Sequence, residues 1–216
     1  MADNGPNVIL HEEPITDDVE NALIDRICSN AKLMLDLGAG HRRNARLGSF
    51  KDRLKCSSFC MDLKFSTTID VNGNLEDLPF KDNSVHTVVC WSVLEHVYEP
   101  QRCVESIHRA LGSDGVLLVQ LPFLYPLHGT KDEVDCYRFT LFGVQYLFRQ
   151  FSRVEIFSKG DYADVLAGLV VNFNKGRLAS LTQTVLARVS RTLLALFGKR
   201  LNPWHNNKGW VIVAYK

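Results

Sequence analysis

Residues 33–40 read Leu-Met-Leu-Asp-Leu-Gly-Ala-Gly, an apolar run that ends in an acid and two glycines. A second apolar run ends at Asp62. A strand, a glycine turn and an acid closing the next strand are a strong constraint on topology. Glycine lets the backbone take positive φ and come close to a ligand. An acid at the end of the neighbouring strand can accept from both hydroxyls of a ribose. The pattern therefore points to an α/β chain that binds an adenosine-containing molecule at the carboxyl ends of parallel strands.

Two ligand classes share this geometry, dinucleotides and S-adenosylmethionine. The dinucleotide fingerprint is G-x-G-x-x-G, its third glycine allowing close helix–strand packing. Gly38 and Gly40 fit, but the third position is Arg43, and the loop continues His41-Arg42-Arg43-Asn44. Those bulky residues do not spell the tight helix N-terminus that a pyrophosphate needs. A nucleotide-dependent oxidoreductase is therefore the weaker alternative.

Residues 73–97 read GNLEDLPFKDNSVHTVVCWSVLEHV. Asn74, Leu78-Pro79-Phe80, the polar turn Lys81–Ser84, the apolar run Val85–Cys90 and Leu94-Glu95-His96 follow one another, with Gly112-Ser113-Asp114-Gly115 beyond. Together with Asp36-Leu37-Gly38-Ala39-Gly40 this order resembles the class I S-adenosylmethionine-dependent methyltransferases. It is most similar to the type 11 methyltransferase domain, related to the ubiquinone and menaquinone biosynthesis enzymes. The resemblance covers about residues 30–160. It implies S-adenosyl-L-methionine as cofactor. Asp36 then takes the methionine amino group, Gly38 and Gly40 the cofactor backbone, Asp62 the ribose and Asn74 the adenine amino group. Leu75 and Trp91 line the same site. Two departures stand out: Val85-His86 replaces the family's Phe-Asp, and the third glycine is missing. Val85-His86 falls at the amino end of its strand, away from the ligand edge, so it bears on packing.

After the next apolar run come Leu121-Pro122-Phe123-Leu124-Tyr125-Pro126-Leu127-His128 and Asp135-Cys136-Tyr137-Arg138-Phe139-Thr140. This resembles a bacterial, glycan-associated subgroup with a Pro-Phe-x-x-Pro-x-His…Asp-Tyr-x-Arg signature, although His128 and Asp135 stand about two residues further apart. His128 can serve as a general base because its ordinary pKa lies near neutrality. Asp135 and Arg138 then orient it or bind a polar acceptor. Alternatively, Asp135, Tyr137 and Arg138 only cap and tie down a helix starting at Thr140. Glu95, His96 and Tyr137 either contact the acceptor or fix the loop.

The chain has 216 residues, enough for one domain with a substantial core. Alternating strand and helix signals predict a Rossmann-like sheet of seven strands, mostly parallel with an antiparallel last strand. Asp17-Asp18 are expected to cap a first helix. Strands are expected at 32–37, 58–62, 67–71, 85–90, 116–121, 153–158 and 210–215, and helices at 100–111 and 140–151. About 50 residues separate the last two strands, so 160–209 is expected to be a helical insertion, either lid or docking element. It carries an apolar stripe, Leu178, Leu181, Val185, Val189 and Leu193. Residues 165–216 hold eight basic and no acidic residues, whereas the first 164 carry a net charge of −7. Such asymmetry suggests an anionic partner. An anionic membrane surface is one such partner. Nucleic acid is disfavoured because no basic groove is interleaved with stacking aromatics. A homo-oligomer remains open, with the insertion as its surface.

The six cysteines (28, 56, 60, 90, 103, 136) contain one close pair and no second to complete a tetrahedral site. Free thiols in a cytoplasmic protein, and no metal site, are therefore expected. Met1–Pro6 has neither the basic nor the apolar region of a signal peptide. The functional expectation is a methyltransferase acting on a small polar, sugar-containing or lipid-linked acceptor. A non-catalytic cofactor-binding or scaffold protein is the remaining alternative, since fold alone does not fix function.

Overall fold

The computed structural model describes residues 5–39, 57–64, 67, 69–129, 133–171, 184–186, 188–190, 192–193 and 207–216. Gly40 and the rest of the glycine loop, Cys56, and Leu178 and Leu181 of the insertion lie outside them.

Eight strands form one sheet: β1 (Asn7–Leu10), β2 (Leu33–Leu37), β3 (Ser57–Asp62), β4 (Val71–Asn72), β5 (Val85–Trp91), β6 (Leu111–Pro122), β7 (Arg153–Lys159) and β8 (Gly209–Tyr215). Their order is β1-β7-β8-β6-β5-β2-β3-β4. Every pairing is parallel except those of β8, which lies antiparallel between β6 and β7. This is the mostly parallel α/β sheet expected from the sequence, with one strand more. β1 pairs in parallel with β7, from Asn7↔Arg153 to Leu10↔Ile156, and covers that edge. Four residues are too few to show a period, so the sequence does not announce this strand.

The strands are apolar on both faces because helices cover both. On one face Leu35, Leu37, Val88, Cys90, Leu117, Val119 and Ile212 pack with α2 (Pro100–Ala110) and α3 (Leu141–Leu147). On the other, Met34, Val89, Leu118, Val211 and Val213 meet Leu23, Ile24 and Ile27 of α1 (Asp17–Ser29). Successive strand residues alternate between the two clusters, as the period of two requires.

Four boundaries differ from expectation. Thr16, rather than Asp17-Asp18, caps α1: its Oγ1 accepts from Val19 N at 3.3 Å. The two acids instead occupy the first turn, where they favour the positive end of the helix dipole. β4 is only Val71–Asn72, and α3 stops at Leu147. β6 begins at Leu111 because the register with β5 jumps from Val85↔Leu111 to Thr87↔Val116, absorbing the Gly112–Gly115 turn as a bulge. The insertion opens with α4 (Tyr162–Val171), and residues 184–186, 188–190 and 192–193 are helical.

Candidate active site

In a parallel sheet, ligands bind outside the carboxyl ends of the strands. Gly38, Asp62, Ser92, Pro122 and Lys159 all lie there, and antiparallel β8 delivers Lys208 and Gly209 to the same edge. Gly209 must be glycine, since a Cβ would stand 2.3 Å from the Leu121 carbonyl oxygen.

The glycine turn comes first. Gly38 has φ +68°, and its N–H donates to the Met61 carbonyl at 2.8 Å. A Cβ would lie 2.4 Å from Val93 Cγ2, so this position requires glycine for both conformation and space. Asp36 is buried near the end of β2, opposite Cys60 on β3 and Val89 on β5. Asp62 is half-buried at the end of β3, and its Oδ1 accepts from Lys64 N at 2.8 Å. Asn74 caps the short 3-10 turn Leu75–Asp77 through its Oδ1, which accepts from Glu76 N at 3.0 Å. Leu75 is buried beneath it. Trp91 packs toward the α1 face, with Lys159 Nζ 5.5 Å from its ring centre. Thus Asp36, Gly38 and Asp62 gather around the turn, while the Trp91 ring joins the core on the α1 side.

Beside the turn is a cavity of about 510 Å³ lined by Ser92, Glu95, His96, Gln120, Tyr125 and His128, with Lys159 and Lys208 at its basic end. Ser92 sits in the left-handed region (φ +54°) directly after β5. It is pinned by its N–H to the Gln120 carbonyl at 3.1 Å and by its hydroxyl to the Gln120 side chain. Such strain in a non-glycine residue persists only where its surroundings impose it, commonly at functional sites.

The 3-10 turn Leu94–His96 then carries Glu95 inward, its side chain 1% exposed. Glu95 Oε1 lies 3.6 Å from His128 Nε2 and 3.9 Å from His96 Nε2. The two rings meet edge-on, centroids 4.9 Å apart. Both distances exceed a hydrogen bond. Among the described residues Glu95 Oε2 is buried with no hydrogen-bond partner. Burial pushes the Glu95 carboxyl above its usual range, against the lowering pull of its backbone and of His96, His128 and Arg138.

Asp135 is held quite differently. Arg138 donates to Asp135 Oδ1 at 2.5 Å and Oδ2 at 2.6 Å, and His128 N donates to Oδ2 at 2.9 Å. The Arg138 guanidinium holds the Asp135 carboxyl well below the ordinary carboxylate range, and is itself raised in return. Arg138 also donates to the carbonyls of Tyr125 (2.8 Å), Pro126 (2.8 Å) and Tyr137 (2.7 Å). Thr140, not Asp135, caps α3, its Oγ1 accepting from Gly143 N at 3.1 Å. The Asp135–Arg138 pair therefore fastens the 125–128 loop to the 135–138 segment and so places His128. Tyr137 turns away, its hydroxyl donating to the Tyr98 carbonyl at 2.6 Å.

Sequence reasoning did not single out Ser92, Gln120, Tyr125, Lys159 or Lys208. Lys208 immediately precedes the final apolar strand, and its placement beside Lys159 depends on β8 running antiparallel to β7.

Comparison with known proteins follows this geometry. Residues 35–119 match the family described as "Methyltransferase domain". No curated protein matches the sequence significantly. Among solved structures, a SAM-dependent methyltransferase from Archaeoglobus fulgidus superposes with a TM-score of 0.58 at 12% identity, over 93% of this chain and 95% of that one. The phosphoethanolamine N-methyltransferase 2 of Haemonchus contortus, solved with phosphomonomethylethanolamine and S-adenosylhomocysteine, gives 0.57 at 14%, over 94% of this chain and 53% of that chain. The [4+2]-cyclase SpnF gives 0.56 at 14%, over 98% and 89%. At these identities the likeness is one of fold. Residues 35–119 are thus similar to a methyltransferase domain family, and the chain has the Rossmann-like α/β fold also seen in S-adenosylmethionine-dependent methyltransferases.

Proposed function

We propose that this protein is an S-adenosylmethionine-dependent methyltransferase whose acceptor occupies the cavity between Glu95 and Lys208. The observation that carries the reading is the adjacency of two sites at one sheet edge. The Gly38 turn with Asp36 and Asp62 suits an adenosine-containing cofactor, and the polar cavity beside it suits an acceptor. The cyclase among the structural relatives shows that the fold alone does not decide the chemistry; the domain match and the site support methyl transfer.

The cofactor, when bound, supplies a methyl group on a positively charged sulfur. Asp36 holds its amino group, Asp62 its ribose hydroxyls, and Asn74 its adenine edge. Gly38 allows close backbone approach. Gly40 and Leu75 belong to the same assignment. Alignment of the acceptor is the protein's main contribution, on the order of 7–11 kcal/mol at best. Glu95, His96 and His128 hold the reactive group of the acceptor and receive its proton, with Asp135 and Arg138 positioning His128. Lys208 lines the same cavity, while the Lys159 ammonium beside it is paired with Glu20 at 2.6 Å; Lys208 suits an acceptor with an anionic or sugar hydroxyl portion. Calorimetry tests the cofactor step. S-adenosylhomocysteine should bind at one site per chain and NAD should not. NAD binding in its place restores the oxidoreductase reading, and binding of neither leaves a scaffold.

A second observation favours a lipid-linked acceptor. Val185, Val189 and Leu193 are 57%, 49% and 50% exposed, in a helical stretch with Arg188 also exposed. Among the described residues no helix is long and apolar enough to cross a membrane. An apolar stripe with basic neighbours and no acids is the composition of helices that lie in a membrane interface. The insertion in this reading docks on anionic lipid, each basic residue near the surface contributing about 1 kcal/mol at low salt. Co-sedimentation with phosphatidylserine vesicles, lost in high salt and absent with phosphatidylcholine, is the expected result. No sedimentation with either leaves the stripe as a lid or a dimer surface.

A further inference from the structure

The Glu95–His96–His128 cluster has an arrangement that acceptor binding alone does not explain. Three groups converge: Glu95 Oε1 and the Nε2 atoms of both histidines, all within 4.8 Å of one another. Each imidazole has its other nitrogen beside a fixed oxygen. His96 Nδ1 donates to the Val134 carbonyl at 2.5 Å. His128 Nδ1 lies 3.2 Å from the Pro126 carbonyl, 3.4 Å from Asp135 Oδ2 and 3.4 Å from Nη2 of Arg138. With its proton on Nδ1, a neutral imidazole presents a lone pair at Nε2. So three acceptor atoms face one point, and no donor stands between them at hydrogen-bond distance. Glu95 adds a second acceptor, Oε2, buried and without a partner among the described residues. Carboxylates buried this deeply are ordinarily paired or bound to metal.

We propose that Glu95, His96 and His128 form a divalent transition-metal site, with zinc as the reference ion. This rests on the methyltransferase reading above and specifies how that cluster handles the acceptor. The ligand set is two histidines and one carboxylate, common to zinc and other first-row metals. A tetrahedral zinc with bonds of about 2.1 Å places its ligands about 3.4 Å apart. The distances of 3.6 and 3.9 Å need only a small closure of the rings. The carbonyls of Val134 and Pro126 and the carboxylate of Asp135 are the outer partners that fix ring orientation at metal-bound histidines. Arg138 does not oppose the cation with a free charge, since both of its amino groups pair with Asp135. The fourth position opens on the cavity. An acceptor hydroxyl held there would have its pKa lowered by the ion, which would take over from the three side chains the proton-removing role given them above, the proton leaving to solvent. The acceptor is then an alcohol or phenol rather than an amine. Cysteine spacing, which argues against a metal, is silent on this site because its ligands come from residues 95–96 and 128 and meet only in the fold.

The experiment uses the full chain stripped with EDTA and titrated with zinc chloride by calorimetry, with cobalt(II) absorption as a second readout. One zinc per chain is expected, together with the intense visible bands of low-coordinate cobalt. Glu95→Gln and His96→Gln should each weaken zinc at least tenfold while melting normally. Cys136→Ser, which removes the exposed described thiol, should bind as wild type. Lack of stoichiometric binding, or undiminished binding in folded Glu95→Gln, overturns the proposal. S-adenosylhomocysteine is titrated into the same samples. Cofactor binding without zinc binding removes only the metal, and zinc binding without cofactor binding removes the methyltransferase reading.

Discussion

Two carboxylates flank His128, one lining the cavity and one behind it, each with a side chain 1% exposed, and they are treated in opposite ways. Asp135, on the 133–139 segment, has a two-pronged arginine and a backbone N–H. Glu95, on the turn after β5, has two histidines beyond hydrogen-bond distance and, among the described residues, one oxygen without a hydrogen-bond partner. A buried carboxylate that is fully satisfied holds structure together. One left unsatisfied costs stability, on the order of 1–3 kcal/mol or more, and persists where a ligand supplies what the protein withholds. Asp135 therefore reads as the clamp and Glu95 as the working group, although they stand within reach of the same imidazole.

Substitution separates the two most strongly. Asp135→Asn leaves the partly exposed Arg138 beside a neutral partner, and losing charge-assisted hydrogen bonds there costs about 1.5–3 kcal/mol. Glu95→Gln removes a carboxylate whose burial its neighbours only partly offset, so stability should change by less than about 1 kcal/mol or rise. Activity should respond in reverse: Glu95→Gln should nearly abolish turnover in a fully folded protein. Urea denaturation of both variants checks the claim, and a Glu95 variant as unstable as the Asp135 one breaks the comparison.

His128 bridges the two carboxylates and sharpens the contrast next. His128→Gln should lower turnover by roughly 10²–10⁴ whether the ring takes the proton or holds a metal. Affinity for S-adenosylhomocysteine should stay within a few-fold of wild type. A matching fall in cofactor affinity would mean that His128 faces the cofactor rather than the acceptor.

A third carboxylate, Asp62, extends the comparison to the cofactor side. Its Oδ1 is engaged by Lys64 N, and the residue is only half-buried, so it is neither clamp nor orphan. As the ribose ligand it makes charge-assisted hydrogen bonds worth roughly 1.5–3 kcal/mol each. Asp62→Ala should therefore weaken S-adenosylhomocysteine at least tenfold by calorimetry with little loss of stability. Unchanged affinity in the folded variant takes Asp62 out of the site.

How much of this was legible beforehand follows from how far each feature reaches along the chain. The β2 turn and the β5 strand with its following Leu94-Glu95-His96 are local, and their glycines, apolar runs and spacing announce them. The Leu178–Leu193 stripe shows its period in sequence, and its Val185, Val189 and Leu193 do stand on the exposed side. What could not be read is what needs two distant segments. The Asp135–Arg138 clamp looked equally like a helix cap until Thr140 proved to be the cap. The triad joins Glu95 and His96 to His128, 32 positions beyond His96, and Lys208 reaches the cavity only because β8 reverses direction. β1 escaped notice because its signal is the edge of β7, not its own four residues.

The smallest effect is a matter of sign, and it tests the contrast without reference to catalysis. Asp135 has its pKa lowered on folding, so it contributes stability above its unfolded value near 3.9, lost as pH falls below that. Glu95 has its pKa raised, so folding favours its protonated form. Its contribution is fully present below the unfolded value near 4.3 and is lost as pH rises through the raised folded value. In EDTA-stripped protein, the stability difference between wild type and Glu95→Gln should therefore turn against wild type as pH rises from about 4 toward neutrality. The difference between wild type and Asp135→Asn should be nearly flat over the same interval and shrink only as pH falls below about 4. Melting curves at several pH values read both slopes. Parallel slopes for the two variants would show that the two carboxylates share one environment, and the division into clamp and working group would fall. Adding zinc should then remove the penalty at Glu95 alone, because only there does folding leave an anion waiting for a cation.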